Sequence, residues 1–164
     1  MSHPELATVA SIDLPRYLGT WYEIARLPMR YEPEDFRDIS AEYSLQDNGK
    51  VRVVNRATNG KGEHEESVGE ASALDSSNSR LEVTFLPEGL RWIPFTKGDY
   101  WITKIDDAYT TALVGSPDRK YLWLLARQPQ IDAAITQQFL EHARAQGFDL
   151  GELIHTPQGQ RSAA

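Results

Sequence analysis

Histidine, cysteine and acidic residues build most metal and nucleophilic sites, and their spacing in this chain favours neither kind of site. The 164 residues include no cysteine, which removes disulfides, thiolate ligands and thiol catalysis. No two histidines have the spacing of metal ligands, so we predict no metal site. The four are His3, His64, His142 and His155. We interpret His64-Glu65-Glu66 as a charged hairpin tip, and the chain has no phosphate loop or nucleophile-elbow motif.

Glu23 is the strongest candidate for acid–base chemistry. Strand alternation turns it inward, and burial would raise the pKa of its carboxyl group, as an isomerase or de-epoxidase acting on a hydrophobic substrate requires. The alternative, which we favour, is an ionised and paired Glu23, with an arginine near the closed end of the fold as one candidate partner. We therefore predict a binding protein without catalytic residues or a cofactor. A haem-binding barrel needs an inward histidine, and no predicted barrel strand supplies one.

Composition and charge restrict the partners of the chain. The net charge is −7, and the Lys and Arg residues are scattered, which argues against nucleic acid. No apolar run approaches the about 18 residues that span a bilayer. The first residues lack the basic start and apolar run of a signal peptide, so we expect either a cytosolic protein or one whose targeting segment has been removed.

The elements that must position these residues are mostly strands. Eight short runs with strand alternation follow one another, and turn signals separate them. They cover residues 20–27, 39–46, 50–57, 67–74, 80–86, 99–105, 109–115 and 121–127. We expect one domain over residues 14–157, preceded by a flexible segment (1–13) and followed by a disordered tail (158–164).

Connection lengths predict how the strands are arranged. Long connections (28–38, 58–66 and 87–98) alternate with tight ones such as 47–49, which contains Asn48-Gly49. Successive antiparallel hairpins turn at opposite ends of a sheet, so the long loops gather at one end. The pattern predicts an all-β fold, an eight-stranded antiparallel up-and-down β-barrel, with a closed floor and an open mouth.

One α-helix is predicted after the barrel, packed on its outside. Asp132 has the type and position of an N-cap, and Gly147 has those of a C-terminal stop. The predicted apolar face consists of Ile135, Phe139, Leu140 and Ala143. A short last strand is expected around residues 153–155.

Alternation along each strand assigns side chains to the interior. Tyr43, Asn55 and Trp123 are expected to point inward, and Glu23 shares a face with Trp21 and Ala25. An interior that is aromatic in places and polar in places is typical of a ligand pocket. The alternative is a packed core whose polar groups pair with each other, because eight strands leave little space.

The floor of the predicted barrel has its own residue pair. The first strand begins at the closed end and the eighth strand finishes there, so Trp21 and Arg127 are expected to meet. A guanidinium group stacked on an indole contributes about 0.5–2 kcal/mol. We predict that this pair plugs the floor.

The chain resembles the lipocalins, in the form typical of bacterial lipocalins and their apolipoprotein D-like relatives. The resemblance rests on residues 19–25 (GTWYEIA), 43–45 (YSL), 53–55 (VVN), 98–101 (GDYW) and 122–129 (LWLLARQP). These segments stand in the order of the lipocalin motifs, and the match extends from about residue 14 to residue 160.

This resemblance implies a calycin barrel with a C-terminal helix. It implies binding, storage or transport of a fatty acid, a lysophospholipid or a similar lipid, with a role in membrane maintenance or stress. Trp21 and Arg127 match the base-closing pair of the family, and Tyr43, Asn55 and Trp123 match pocket positions, to which we add Tyr100 of the second motif. Bacterial members are commonly outer-membrane lipoproteins anchored through a cysteine, a residue that this chain lacks.

The connection at 87–98 is strongly apolar at Leu90-Arg91-Trp92-Ile93-Pro94-Phe95. Exposed apolar clusters tend to mark partner, membrane or ligand contacts, and a lid folded over the cavity is the alternative. We expect Trp92 to contact lipid, directly or across a homodimer.

Overall fold

Eight antiparallel strands close into a barrel in the computed structural model, which describes residues 5–28, 36–85 and 97–158. The predicted eight-stranded up-and-down architecture is confirmed. The strands are β1 (Gly19–Arg26), β2 (Arg37–Leu45), β3 (Val51–Thr58), β4 (His64–Ala73), β5 (Arg80–Phe85), β6 (Lys97–Ile105), β7 (Thr111–Gly115) and β8 (Leu122–Ala126). Each pairs with the next in sequence, and β1 pairs with both β2 and β8 to close the barrel.

The turns at the closed end are held by short polar side chains. Gly49 has a φ of 85°, the left-handed conformation that the Asn-Gly hairpin requires, and Asn48 Oδ1 accepts a hydrogen bond from the Lys50 amide at 3.0 Å. Asp75 and Asp106 hold the other two turns of this end through the amides of Ser77 and Thr110. These local bonds explain why the tight connections could be identified from residue types alone.

The opposite end differs from the prediction in one connection. Strand β4 begins at His64, so the β3–β4 connection is only 59–63, and His64-Glu65-Glu66 lies in a strand rather than at a hairpin tip. Asn59 shortens this loop because its Oδ1 accepts bonds from the amides of Lys61 and Glu63. The contrast between long and tight connections is therefore weaker here than the sequence suggested.

The helices lie at the two ends of the domain. Helix α1 (Leu14–Tyr17) precedes β1, and α2 (Ala133–Ala145) packs outside the barrel. The Asp132 side chain accepts a hydrogen bond from the Ala134 amide at 3.0 Å, as predicted for an N-cap. The predicted place of Ile135 on the apolar face is wrong: Ile135 is 37% exposed, and Thr136 is buried beside the other three face residues.

Residues 5–12 contact the barrel wall, although the sequence suggested a flexible lead-in. Leu6 is fully buried beneath α2, and Ile12 is buried in the barrel core. The Val9 amide donates to the Ile102 carbonyl oxygen at 3.0 Å, and the Ile12 amide donates to that of Ser77 at 2.8 Å. These contacts depend on a surface that β5, β6 and α2 build together.

The C-terminal segment completes the barrel wall where β1 and β2 separate. Register pairs between these strands extend only from Gly19↔Tyr43 to Tyr22↔Ser40. Beyond them, β9 (Ile154–His155) pairs with β1, and the Asp38 amide of β2 donates to the Pro157 carbonyl oxygen at 2.8 Å. Gln158 Nε2 donates to the carbonyl oxygens of Glu23 (2.8 Å) and Ile39 (2.7 Å), which joins the two strands.

Candidate ligand-binding site

Arg127 and Trp21 meet at the closed end, as the strand directions predicted. The Arg127 guanidinium carbon lies 4.0 Å from the centre of the Trp21 ring. Arg127 also donates to the carbonyl oxygens of Arg16 (2.7 Å) and Thr20 (3.0 Å), and Trp21 Nε1 donates to that of Tyr17 at 2.8 Å. The guanidinium group thus connects α1 and β1 to the end of β8 and covers the floor.

Three tyrosines lie directly above this floor. Tyr100 Oη is 2.6 Å from Tyr17 Oη and 2.7 Å from Tyr43 Oη, so the three hydroxyls form one hydrogen-bonded chain. The Tyr17 ring centre is also 4.9 Å from that of Trp21. Burial raises the pKa of all three phenols, so each hydroxyl keeps its proton at neutral pH. Tyr43 and Tyr100 face inward, and the Tyr100 hydroxyl is bonded to those of both Tyr43 and Tyr17.

A bulge in β1 decides where Glu23 and its neighbours point. The register with β8 shifts between Glu23 and Ala25, so alternation is interrupted at Ile24. Glu23 stays inside with Trp21, whereas Ala25 turns outward into the cluster beneath α2. The predicted grouping of Ala25 with Trp21 and Glu23 is therefore wrong. Arg26, which strict alternation would place on the opposite face, comes to the inner side opposite Trp123.

Glu23 is buried and paired. Its Oε2 lies 2.9 Å from Arg26 Nη1 and also accepts a hydrogen bond from the Thr156 hydroxyl. Burial raises the pKa of the Glu23 carboxyl group, and the Arg26 charge and the Thr156 hydroxyl oppose that rise. The interpretation of Glu23 as one member of an ion pair agrees with these contacts, although its partner lies on the mouth side rather than near the floor.

The half of the barrel towards the mouth is lined differently. On β3, the inward Val53 is 3% exposed, whereas the inward Asn55 two residues further towards the mouth is partly exposed. On β8, the inward Leu125 is 5% exposed, whereas Trp123 is partly exposed and stacks on Tyr121, with ring centres 6.2 Å apart. The interior is thus filled at the floor and accessible towards the mouth.

Asn55 has a polar neighbour on the adjoining strand β4. Ser67 of β4 is its register partner and lies on the same inner face. Ser67 is fully buried, and its Oγ has no hydrogen-bond partner within the described part of the chain. No hydrogen bond joins the Asn55 amide group to another described residue either.

Residues 87–96 of the predicted 87–98 connection, including Trp92, lie outside the described residues. Within the described ranges, no three His, Cys, Asp or Glu side chains come together as a metal site.

Sequence reasoning missed several residues that shape the interior. Arg26 was missed because a one-residue bulge has no signal in alternation. Thr156 and Gln158 were missed because they approach β1 from more than 130 positions away in the chain. Ser67 had a usable signal: it alternates with Gly69 and Ala71, so it falls on the inner face of β4.

An up-and-down barrel sealed at one end and lined by accessible polar and aromatic side chains at the other is a ligand-binding barrel. The lipocalin-like domain family matches residues 12–158, and the chain belongs to this family. Family and fold together support binding of a small hydrophobic ligand, and members of the family are typically binding proteins.

The similarity to related proteins covers nearly the whole chain. Temperature-induced lipocalin-1 of Arabidopsis thaliana is 38% identical over 156 residues, which cover 94% of this chain and 83% of that protein. The outer membrane lipoprotein Blc of Escherichia coli K12 is 37% identical over 155 residues, covering 93% and 83%. Insecticyanin of the tobacco hornworm has the same fold, with a TM-score of 0.72 at 18% identity, covering 98% of this chain and 88% of the other.

No helix in the described ranges has the length and apolar character that crossing a membrane requires.

Proposed function

We propose that the barrel binds a single-chain lipid, a fatty acid or a lysophospholipid, and stores or transports it. The partly exposed, inward-facing Asn55 and Trp123 carry this proposal, since they mark an accessible interior above a filled floor. A single acyl chain is apolar and narrow, which suits an eight-stranded barrel that is already filled at its closed end.

The lipid class gains support from a relative. The similar protein of E. coli is called an outer membrane lipoprotein, which places that protein at a lipid surface. The apolar segment 90–95 of this chain provides residues suited to contact a membrane at the mouth. Both points favour a ligand that the protein takes from a membrane or delivers to one.

Native mass spectrometry of the protein purified from cells, followed by lipid extraction, tests the proposal directly. We expect an added mass that corresponds to a single-chain lipid. Octadecanoic acid and a lysophospholipid should each displace an apolar fluorophore from the barrel. A ligand-free mass together with no displacement by either lipid would refute the proposal.

A filling substitution locates the binding event in the barrel. Asn55→Phe places a large side chain on the inner face of β3 and should raise the Kd for the fluorophore at least about tenfold, which corresponds to about 1.4 kcal/mol. The matched control is Arg52→Phe on the exposed face of the same strand, which should leave the Kd unchanged. Equal effects of the two substitutions would place the ligand outside the barrel.

The membrane contact has a separate test. Trp92→Ala combined with Phe95→Ala should reduce cosedimentation with phospholipid vesicles, because two large apolar side chains are lost. Fluorophore binding measured in the same variant separates a membrane role from a role as a lid. Unchanged cosedimentation and unchanged fluorophore binding would exclude both roles for this segment.

A further inference from the structure

Two groups of polar side chains on the inner wall are bonded among themselves. The three tyrosine hydroxyls above the floor form one chain, and Glu23 is held by Arg26 and Thr156. Ser67 and Asn55 differ, because neither side chain has a hydrogen-bond partner among the described residues.

A buried hydroxyl group without a partner is rare in folded proteins, and an orphan of this kind calls for an explanation. Ser67 is 0% exposed, so solvent at the mouth does not satisfy its Oγ. Residues directly opposite on an antiparallel pair have Cβ atoms about 5 Å apart, so Ser67 and Asn55 form one small polar patch. Their neighbours on the inner face are Val53 and Ala57 on β3, and Gly69 and Glu65 on β4. The first three are buried, and the partly exposed Glu65 accepts a hydrogen bond from Asn59 Nδ2 at 3.0 Å.

We propose that Asn55 and Ser67 form a recognition site for a neutral oxygen atom, a hydroxyl or a carbonyl, on the hydrocarbon part of the ligand. This inference rests on the proposed function and narrows its ligand class to oxygenated single-chain lipids. Asn55 is the accessible member of the pair, and no bond to a described residue holds its amide group. When the side-chain amide group of Asn55 rotates, the ligand oxygen can reach the Ser67 hydroxyl group.

The chemistry of the patch selects a neutral group over a charged one. A carboxylate or phosphate buried at this point needs a cation beside it. Arg26, the cation that the bulge in β1 brings to the inner side, is already paired with Glu23 at 2.9 Å. A hydroxyl or carbonyl oxygen needs only the hydrogen bonds that an amide and a hydroxyl group supply.

A series of octadecanoic acids that carry one oxo or hydroxyl group at different carbons tests the site. For each acid, displacement of an apolar fluorophore yields the ratio of its affinity to that of unsubstituted octadecanoic acid. In the wild-type protein we expect this ratio to peak at one substituent position. In Ser67→Ala the ratio at the peak should fall about 3- to 10-fold, the effect of one neutral hydrogen bond.

Two further variants make the experiment decisive. Ser72→Ala removes a hydroxyl from the outer face of the same strand and should preserve the peak. Asn55→Leu should flatten the peak, as Ser67→Ala does. If the ratio is the same in wild type and Ser67→Ala at every position, the inference is wrong while lipid binding stands. If neither an acid of the series nor a lysophospholipid displaces the fluorophore, the proposed function itself fails.

Discussion

Arg26 Nη1 lies 2.9 Å from Glu23 Oε2, and the two side chains are 0% and 4% exposed. The two residues are three positions apart in β1 and reach the same side of the sheet because the bulge at Ile24 adds one residue between them. Thr156 donates a further hydrogen bond to the same carboxylate oxygen, so the ion pair lies where the C-terminal segment joins β1.

Removing one partner of this pair should be far more harmful than removing both. Glu23→Gln leaves the Arg26 charge buried without a counter-ion and should lower the free energy of unfolding by about 3–5 kcal/mol. The double variant Glu23→Leu/Arg26→Met replaces the pair by apolar side chains and should recover most of that loss. Urea unfolding of the three proteins measures this, and a double variant as unstable as the single one would contradict it.

The floor contact makes a smaller contribution. Arg127→Ala removes the stacking on Trp21 and three hydrogen bonds to backbone carbonyl oxygens, so we expect the free energy of unfolding to fall by about 1–3 kcal/mol. Arg127→Lys keeps the charge but loses the planar guanidinium fork, so its free energy of unfolding should lie between those of wild type and Arg127→Ala. Arg52→Ala, at an exposed arginine, is the control. Thermal unfolding that is unchanged in Arg127→Ala would show that the floor is closed in another way.

Ser67→Ala should stabilise the ligand-free protein. An unpaired buried hydroxyl group lowers stability by about 1–3 kcal/mol, and alanine removes the group while keeping the Cβ atom. The outer-face control Ser72→Ala should stay within about 0.5 kcal/mol of wild type. Urea midpoints of the delipidated proteins measure this difference in stability. If Ser67→Ala is less stable than wild type, the Ser67 hydroxyl group of the wild-type protein already has a hydrogen-bond partner.

Asp106 should make stability depend on pH in the acid range. Burial alone would raise the pKa of its carboxyl group, but hydrogen bonds from the Thr110 hydroxyl and from the Thr111 and Thr110 amides hold it below the ordinary value. The folded state therefore favours the carboxylate, and this contribution is present above about pH 4, the unfolded pKa of aspartate, and lost as the pH falls below it.

The variant Asp106→Asn tests this sign. Its stability deficit relative to wild type should be larger at pH 7 than at pH 3, as judged from urea midpoints at both values. Asp107→Asn, at the exposed neighbouring aspartate, should show no such change. An equal deficit of Asp106→Asn at the two pH values would contradict the prediction.

Local chemistry and alternation by themselves determined most of the fold. Asn48-Gly49, the aspartates of the other closed-end turns and the Asp132 cap act within a few residues, so their effects could be predicted without knowing any partner. The directions of eight up-and-down strands then brought Trp21 to Arg127 across the closure of the barrel. The same alternation placed Tyr43, Asn55 and Trp123 on inner faces.

Only the tertiary structure decided which inward side chains are bonded and which are left without partners. Arg26 comes to the inner side through a bulge, a backbone irregularity that residue types do not encode, and Gln158 reaches β1 and β2 from the other end of the chain. The three tyrosine hydroxyls were equally beyond prediction, since hydrogen bonds between distant residues need positions accurate to a fraction of an ångström. The Ser67 hydroxyl, which has no hydrogen-bond partner among the described residues, has the same origin, because such an absence becomes visible only once the neighbouring side chains are placed.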